Sequence, residues 1–211
     1  MATIIDEALV IRVEDRNSAD KYVTCFSRFH GRVRFSAFGA KYYKSSVGPI
    51  LQYLSRLQLE LEPGKISDKL LGAELLAPPP GLDFKQLAYA SVMTEVTEAF
   101  TADHESDTLV YGYLLDALTL LTRKNPRVVV LAFCIKLLHA TGFGPDLEKM
   151  AMPDGAKELY LAMLHLDFVR PGELEIRGSD LKRLEHTVLE LIYYQINKPL
   201  KSLVYLRQLG I

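Results

Sequence analysis

One short run does most to limit what this chain can fold into. Ala77-Pro78-Pro79-Pro80-Gly81 continues neither a strand nor a helix, because consecutive prolines remove backbone donors and fix φ. The hydrophobic period changes across this run. Before it the period is two. Leu57, Leu59 and Leu61 alternate with Gln58, Glu60 and Glu62, and Val33, Phe35 and Ala37 alternate with Arg32, Arg34 and Ser36. Both patterns read as half-buried strands. Residues 8–13, 22–26 and 70–76 are three further β-prone runs, and turn material separates them at residues 14–20, 30–31, 45–49 and 63–64. Short strands at this spacing predict a small β-barrel, with the OB-fold the leading candidate.

After the prolines the period is helical. Phe84, Leu87, Ala88, Val92, Val96, Ala99 and Phe100 share one helical face, as do Leu109, Tyr113, Leu114, Ala117 and Leu121. Asn125 followed by Pro126 predicts the cap and first position of a third helix that runs to Ala140. That helix is apolar nearly all round and is expected to be the most buried. Thr141-Gly142-Phe143-Gly144-Pro145 is a stop signal. Asp154 is expected to cap a helix reaching Leu166, Ser179 one over residues 180–196, and a short last helix follows Pro199. The fold class expected is α+β in two domains: an N-terminal OB-fold β-barrel over residues 1–77, a linker at 78–81, and an all-α domain of about six helices over 82–211.

The formal net charge is −1, so bulk charge gives no sign of a nucleic-acid partner. Its distribution says more. Residues 1–77 hold 11 Lys and Arg against 9 Asp and Glu, and residues 81–211 hold 14 against 17. Residues 28–56 contain no acid. Arg28, Arg32, Arg34, Lys41, Lys44 and Arg56 lie in that window, interleaved with His30, Tyr42, Tyr43 and Tyr53. Cations release counterions from phosphates and aromatic rings stack on bases. The window therefore fits either a groove for a nucleic-acid backbone or a solvated barrel face whose acids come from elsewhere in the fold.

The two cysteines, Cys25 and Cys134, each sit in an apolar run outside any CxxC and read as buried free thiols, which suits a reducing compartment. Asp6 and Glu7 stand where a signal peptide carries Lys or Arg, and the longest apolar run, residues 128–135, is far short of a membrane span. The expectation is a soluble cytoplasmic protein that meets no membrane. No catalytic constellation is present: there is no phosphate-binding Gly-rich motif, no GxSxG and no HExxH. His30, His104, His139, His165 and His186 are scattered, with His139 read as a hydrogen-bonded histidine of the core or of a helix C-terminus. Asp103, Glu105 and Asp107 around His104 read as a polar inter-helix loop in preference to a divalent-cation site. A non-enzymatic protein without cofactor or metal is expected.

The order of motifs adds a resemblance. Residues 8–13 read ALVIRV and residues 21–26 read KYVTCF. Gly31-Arg32-Val33-Arg34 then runs into Gly39-Ala40-Lys41, Lys44-Ser45 and Leu51-Gln52. Residues 136–147 read KLLHATGFGPDL, and Lys198-Pro199-Leu200-Lys201-Ser202 precedes Leu206. This series resembles the bacterial RecO family of recombination mediators along nearly the whole chain. The resemblance implies binding of single- and double-stranded DNA, strand annealing without ATP, and help in loading RecA on DNA coated with single-strand-binding protein. It implies RecR and the acidic C-terminal tail of single-strand-binding protein as partners, and a nucleoid-associated cytoplasmic place. The residues expected to contact DNA are Arg32, Arg34, Lys41, Tyr42, Tyr43 and Lys44. Those expected to receive the tail are Arg123, Lys124, Arg127 and Lys136. The alternative is a general OB-fold RNA-binding protein or RNA chaperone. One departure matters: many RecO-like proteins hold a four-cysteine zinc site after the GFGPDL stretch, whereas residues 150–178 contain no cysteine. That loop is expected to rely on packing by Leu159, Met163 and Phe168.

Overall fold

The computed structural model describes residues 3–150, 152–168 and 176–208. The chain forms two compact units, Met1–Gly81 with Thr101–Tyr111, and Leu82–Phe100 with Gly112–Ile211.

The first unit is built on β1 (Ile4–Asp15), β2 (Lys21–Ser27), β3 (Gly31–Ala37), β4 (Arg56–Glu62) and β5 (Asp68–Ala77). They close a barrel in the order β1-β2-β3-β5-β4. Its pairings are antiparallel except for β3 with β5, which meet in parallel over Phe35↔Asp68 and Ser36↔Lys69. This is the small OB-type barrel that the alternation predicts. Ala8, Val10, Val23, Cys25, Val33, Phe35, Leu57, Leu59 and Leu61 point inward and form its core. A register shift between Val10 and Arg12 re-aims β1, so that Arg12 is exposed while Val13 packs on the core.

Alternation fails on the outer face of β2, where Thr24 and Phe26 are also buried. Phe26 is covered by the segment Thr101–Tyr111, which belongs to this unit. Tyr111 sets its ring 6.2 Å from that of Phe26 and donates its hydroxyl to Glu7 at 3.0 Å. Upstream, Arg32 N–H donates to the Ala102 carbonyl and His104 N–H to that of Arg32. The β2–β3 turn is anchored from below. The buried Asp6 carboxylate accepts from the Ser27 hydroxyl, from Phe29 N–H at 2.8 Å and from the His30 ring.

The second unit carries α1 (Phe84–Phe100), most of α2 (Thr108–Leu121), α3 (Pro126–Ala140), α4 (Asp154–Leu164), α5 (Gly178–Ile196) and α6 (Lys201–Gln208). Each residue of α3 from Val129 to Leu138 is buried, as its all-round apolar character predicts. Asn125 accepts from Arg127 N–H at 3.1 Å, Pro126 opens the helix, and Gly142 turns the chain at φ +81°. Leu159, Met163 and Phe168 are buried as expected of the cysteine-free loop region. The two other expected caps are corrected. Asp154 lies inside the first turn of α4, after Pro153, and that helix ends at Leu164. Ser179 lies inside α5, which opens at Gly178 after Arg177, and neither end has a side-chain cap. Asp154 and Asp180 act instead as first-turn acids on the helix dipole. The last helix is capped from far away: Glu95 of α1 accepts from Lys201 N–H and Ser202 N–H at 2.9 and 2.8 Å.

Candidate nucleic-acid interface

With Val33, Phe35 and Ala37 turned into the barrel, period two turns Arg32, Arg34 and Ser36 outward. Phe38, one residue past β3, keeps the same parity and is 71% exposed. This face is not free of acid. Asp103 bridges both arginines, accepting from Arg32 Nε at 2.5 Å and from the Arg34 guanidinium. Burial pushes the Asp103 carboxyl up, but the bonds from Arg32 and Arg34 outweigh it and hold it below the usual carboxylate range. The outer face of β3 is therefore the second of the two readings open in the sequence, in part: its acid comes from elsewhere in the fold. Two guanidiniums share one carboxylate.

A further cation joins the line. Arg16, from the β1–β2 loop, donates to Ser36 Oγ at 2.6 Å and is itself exposed. The order along the strand is thus Arg32, Arg34, Arg16 over Ser36, then Phe38. Charge counting hides Arg16, because Glu14, Asp15 and Asp20 surround it in sequence. Phe38 is hidden because a lone aromatic after a strand gives no periodic signal.

The loop after Phe38 is tied down. Gly39 N–H donates to Asp20 Oδ1 at 2.8 Å, and Lys41 N–H donates to the Ala19 carbonyl at 2.9 Å. Lys41 Nζ lies 2.8 Å from Asp15 and 2.9 Å from the Asn17 carbonyl. Lys41 is thus a staple between two loops, and most of its side chain is covered. Tyr42, Tyr43 and Lys44 stand exposed beyond it, Tyr43 completely so. Lys44 makes no ion pair among the described residues. The structure brings Arg32 and Arg34 together, and Lys41 with Tyr42, Tyr43 and Lys44, on one barrel unit.

The four cations expected to receive the tail divide. Arg123 and Lys124 are exposed in the turn before α3. Arg127 is clamped by Glu185, whose Oε1 and Oε2 lie 3.1 and 3.0 Å from its Nε. That pair edges an apolar recess of about 210 Å³ lined also by Val130, Leu131, Cys134 and Leu206. Lys136 faces inward. Its Nζ donates to the Leu164 carbonyl at 2.6 Å between the rings of Tyr113 and Phe168, about 5 Å from each centroid. Burial lowers its pKa, against Asp167, which raises it. Lys136 is thus the one expected tail-binding cation whose ammonium is buried and already held by a carbonyl and two rings.

The remaining reactive groups are structural. Cys25 and Cys134 are fully buried, and burial pushes the Cys134 thiol up to about 12. His139 meets the Tyr160 hydroxyl at 2.9 Å at the end of α3, as the sequence suggests. Burial first, then the neighbouring His165, lowers its pKa. Among the described residues no three His, Cys, Asp or Glu side chains converge as metal ligands, and no helix is long and apolar enough to cross a membrane.

Comparison with known proteins follows the same division of the chain. The family model "Recombination protein O N terminal" matches residues 1–79, and "Recombination protein O C terminal" matches residues 81–152. The chain is 25% identical to the DNA repair protein RecO of Pelotomaculum thermopropionicum over an aligned 239 residues, covering 97% of this chain and 93% of the relative. It is 31% identical to that of Bifidobacterium animalis subsp. lactis over 235 aligned residues, covering 96% and 98%. With the RecO of Streptomyces coelicolor the identity is 32% over 171 residues, covering 72% and 68%.

Proposed function

This chain belongs to the RecO family of DNA repair proteins, and from that premise we propose that it acts without enzymatic chemistry, as a cytoplasmic, nucleoid-associated recombination mediator. In this reading it binds single- and double-stranded DNA, anneals complementary strands, and with RecR assists RecA on strands coated with single-strand-binding protein. The observation that supports it most is the outward line of Arg32, Arg34 and Arg16 on one barrel face, with Lys44 exposed in the loop that follows β3. Such a surface holds phosphates of two strands at once, which lowers their repulsion and raises their local concentration. Phosphate contacts carry no base information, so sequence preference is weak.

The DNA-contact set is Arg32, Arg34, Tyr42, Tyr43 and Lys44, with Arg16 added. Lys41 serves it by fixing the loop. For the acidic tail of single-strand-binding protein, the apolar recess edged by Arg127 has the required chemistry, with Arg123 and Lys124 exposed on the preceding turn. Glu185 must yield Arg127 to an incoming carboxylate. RecR stands on the family relationship alone.

The test is annealing of complementary DNA coated with single-strand-binding protein, with and without that protein's C-terminal tail. Annealing that depends on the tail supports the mediator reading. Preference for RNA over DNA of the same sequence, without annealing, replaces it with the RNA-chaperone reading.

A further inference from the structure

We propose that Phe38, Tyr42 and Tyr43 form a base-stacking platform reserved for single-stranded DNA, distinct in its selectivity from the cations beside it. The proposal rests on the DNA-binding reading above and refines it: it assigns strand selectivity to one loop.

The argument starts from exposure. Phe38 is 71% exposed, Tyr42 65% and Tyr43 103%. Rings this open within residues 38–43 bury little and give the fold little in return. Yet the loop carrying them is firmly held, by Asp20 on Gly39 N–H, by Ala19 on Lys41 N–H, and by Asp15 and Asn17 on Lys41 Nζ. Tyr42 N–H bonds back to Gly39 and Ser45 N–H to Tyr42, each closing a turn. Gly39, at φ +66°, lies under the Tyr42 ring, and a Cβ there would meet that ring at 3.2 Å. The backbone that carries the rings is therefore held. Aromatic side chains have only two rotatable bonds, so on a held backbone they lose little entropy on binding, which favours an interaction site over a frayed loop.

The surroundings select the occupant. Phe38 follows Arg32, Arg34 and Ser36 on one strand face, so the rings begin about 13 Å beyond Arg34 at roughly 3.3 Å per residue. Arg16 lies over Ser36 between them, and Lys44 follows Tyr43 directly. A cationic line that runs into open rings matches a strand with phosphates on one side and free bases on the other. A duplex keeps its bases stacked on each other and offers these rings nothing but an edge. Phosphates of either form satisfy the arginines; unstacked bases alone satisfy the rings.

The test compares three probes of about 20 units, longer than the roughly 4–16 nucleotides one such barrel covers: a single-stranded oligodeoxythymidine, an abasic strand of the same length, and a duplex. Anisotropy is read as a function of salt. The chain has no tryptophan and 11 tyrosines, so quenching of tyrosine emission gives a second, direct signal of stacking. The expected result is at least about tenfold tighter binding to the base-bearing strand than to the abasic one. The triple variant F38A/Y42A/Y43A abolishes that difference and the quenching, and loses far more affinity for the base-bearing strand than for the duplex. The variant Y42F/Y43F retains the preference, because the rings and not the hydroxyls carry it. If the triple variant binds all three probes like the parent, or loses duplex affinity in the same proportion, the platform is overturned while the cationic reading stands. If the parent binds no DNA at low salt, the DNA-binding reading falls and the platform with it.

Discussion

Asp103 decides how much positive charge β3 offers. It accepts from Arg32 and Arg34 together, although 71 and 69 residues separate it from them in sequence. No period or spacing announces such a contact, which is why an acid-free stretch of sequence does not make an acid-free surface. Replacing Asp103→Asn keeps an acceptor and removes the charge. The expected outcome is tighter DNA binding with a steeper salt slope, by about 0.7 for each additional phosphate held on a single strand. Salt titration of oligonucleotide anisotropy measures it, and a slope equal to the parent's means that this carboxylate does not compete with phosphate. A second residue with a readable consequence is His139. His139 Nε2 lies 2.9 Å from the hydroxyl of the buried Tyr160, and burial with His165 lowers the histidine's pKa from 6.5. A histidine whose folded value is depressed favours the fold when neutral. Its contribution is complete above the unfolded value near 6.5 and is lost as pH falls from there through the lower folded value. His139→Gln should flatten that part of the stability profile between about pH 7 and 5 in urea titrations. An unchanged slope would show that other groups govern it.

Elements with a clear period were legible, and the points where they join were not. The alternation of residues 57–62 and the apolar wrap of residues 128–138 each give one answer, because burying one face or all faces leaves no other choice. The cap of α6 is Glu95 of another helix, and α4 and α5 begin without side-chain caps, so local capping signals misplaced those ends. Where a cap is local it is legible and testable. Asn125→Ala should lower stability by about 1 kcal/mol through loss of the bond to Arg127 N–H, and an unchanged urea midpoint would deny it that role. Gly31 marks another junction. It opens β3 at φ +60°, and a Cβ there would lie 1.8 Å from the Glu105 carbonyl oxygen. The left-handed backbone alone costs an alanine about 1–2 kcal/mol. Gly31→Ala should exceed that, because the segment carrying Asp103 must also move. It should share the steeper salt slope of Asp103→Asn, which would distinguish displacement of the segment from simple strain.

For the molecule as a whole, the switch of period at the prolines announced a barrel and a helical bundle, and the charge count announced that they differ in sign. What stayed hidden is that the segment Thr101–Tyr111 returns to the barrel unit, since the helical register of α2 runs straight through Tyr111. In the proposed reading the two binding tasks use cations on different units. Arg16 and Lys44 are exposed on the barrel unit, and Arg123 and Lys124 on the helical one. Polyanionic DNA responds to each lost cation by counterion release, so the double variant R16E/K44E should lower the single-strand salt slope by roughly 1.4, about 0.7 per contact. A short acidic peptide ending in an aromatic has few charges and depends on an apolar recess, so its affinity should not change in that variant. R123E/K124E should do the reverse, leaving the DNA slope intact while weakening the peptide, because two acids then stand on the turn that leads into Arg127. Anisotropy with a labelled oligonucleotide and a labelled peptide measures both. If R123E/K124E flattens the DNA slope as much as R16E/K44E does, the helical cations also hold phosphate, and the division of labour between the units is wrong.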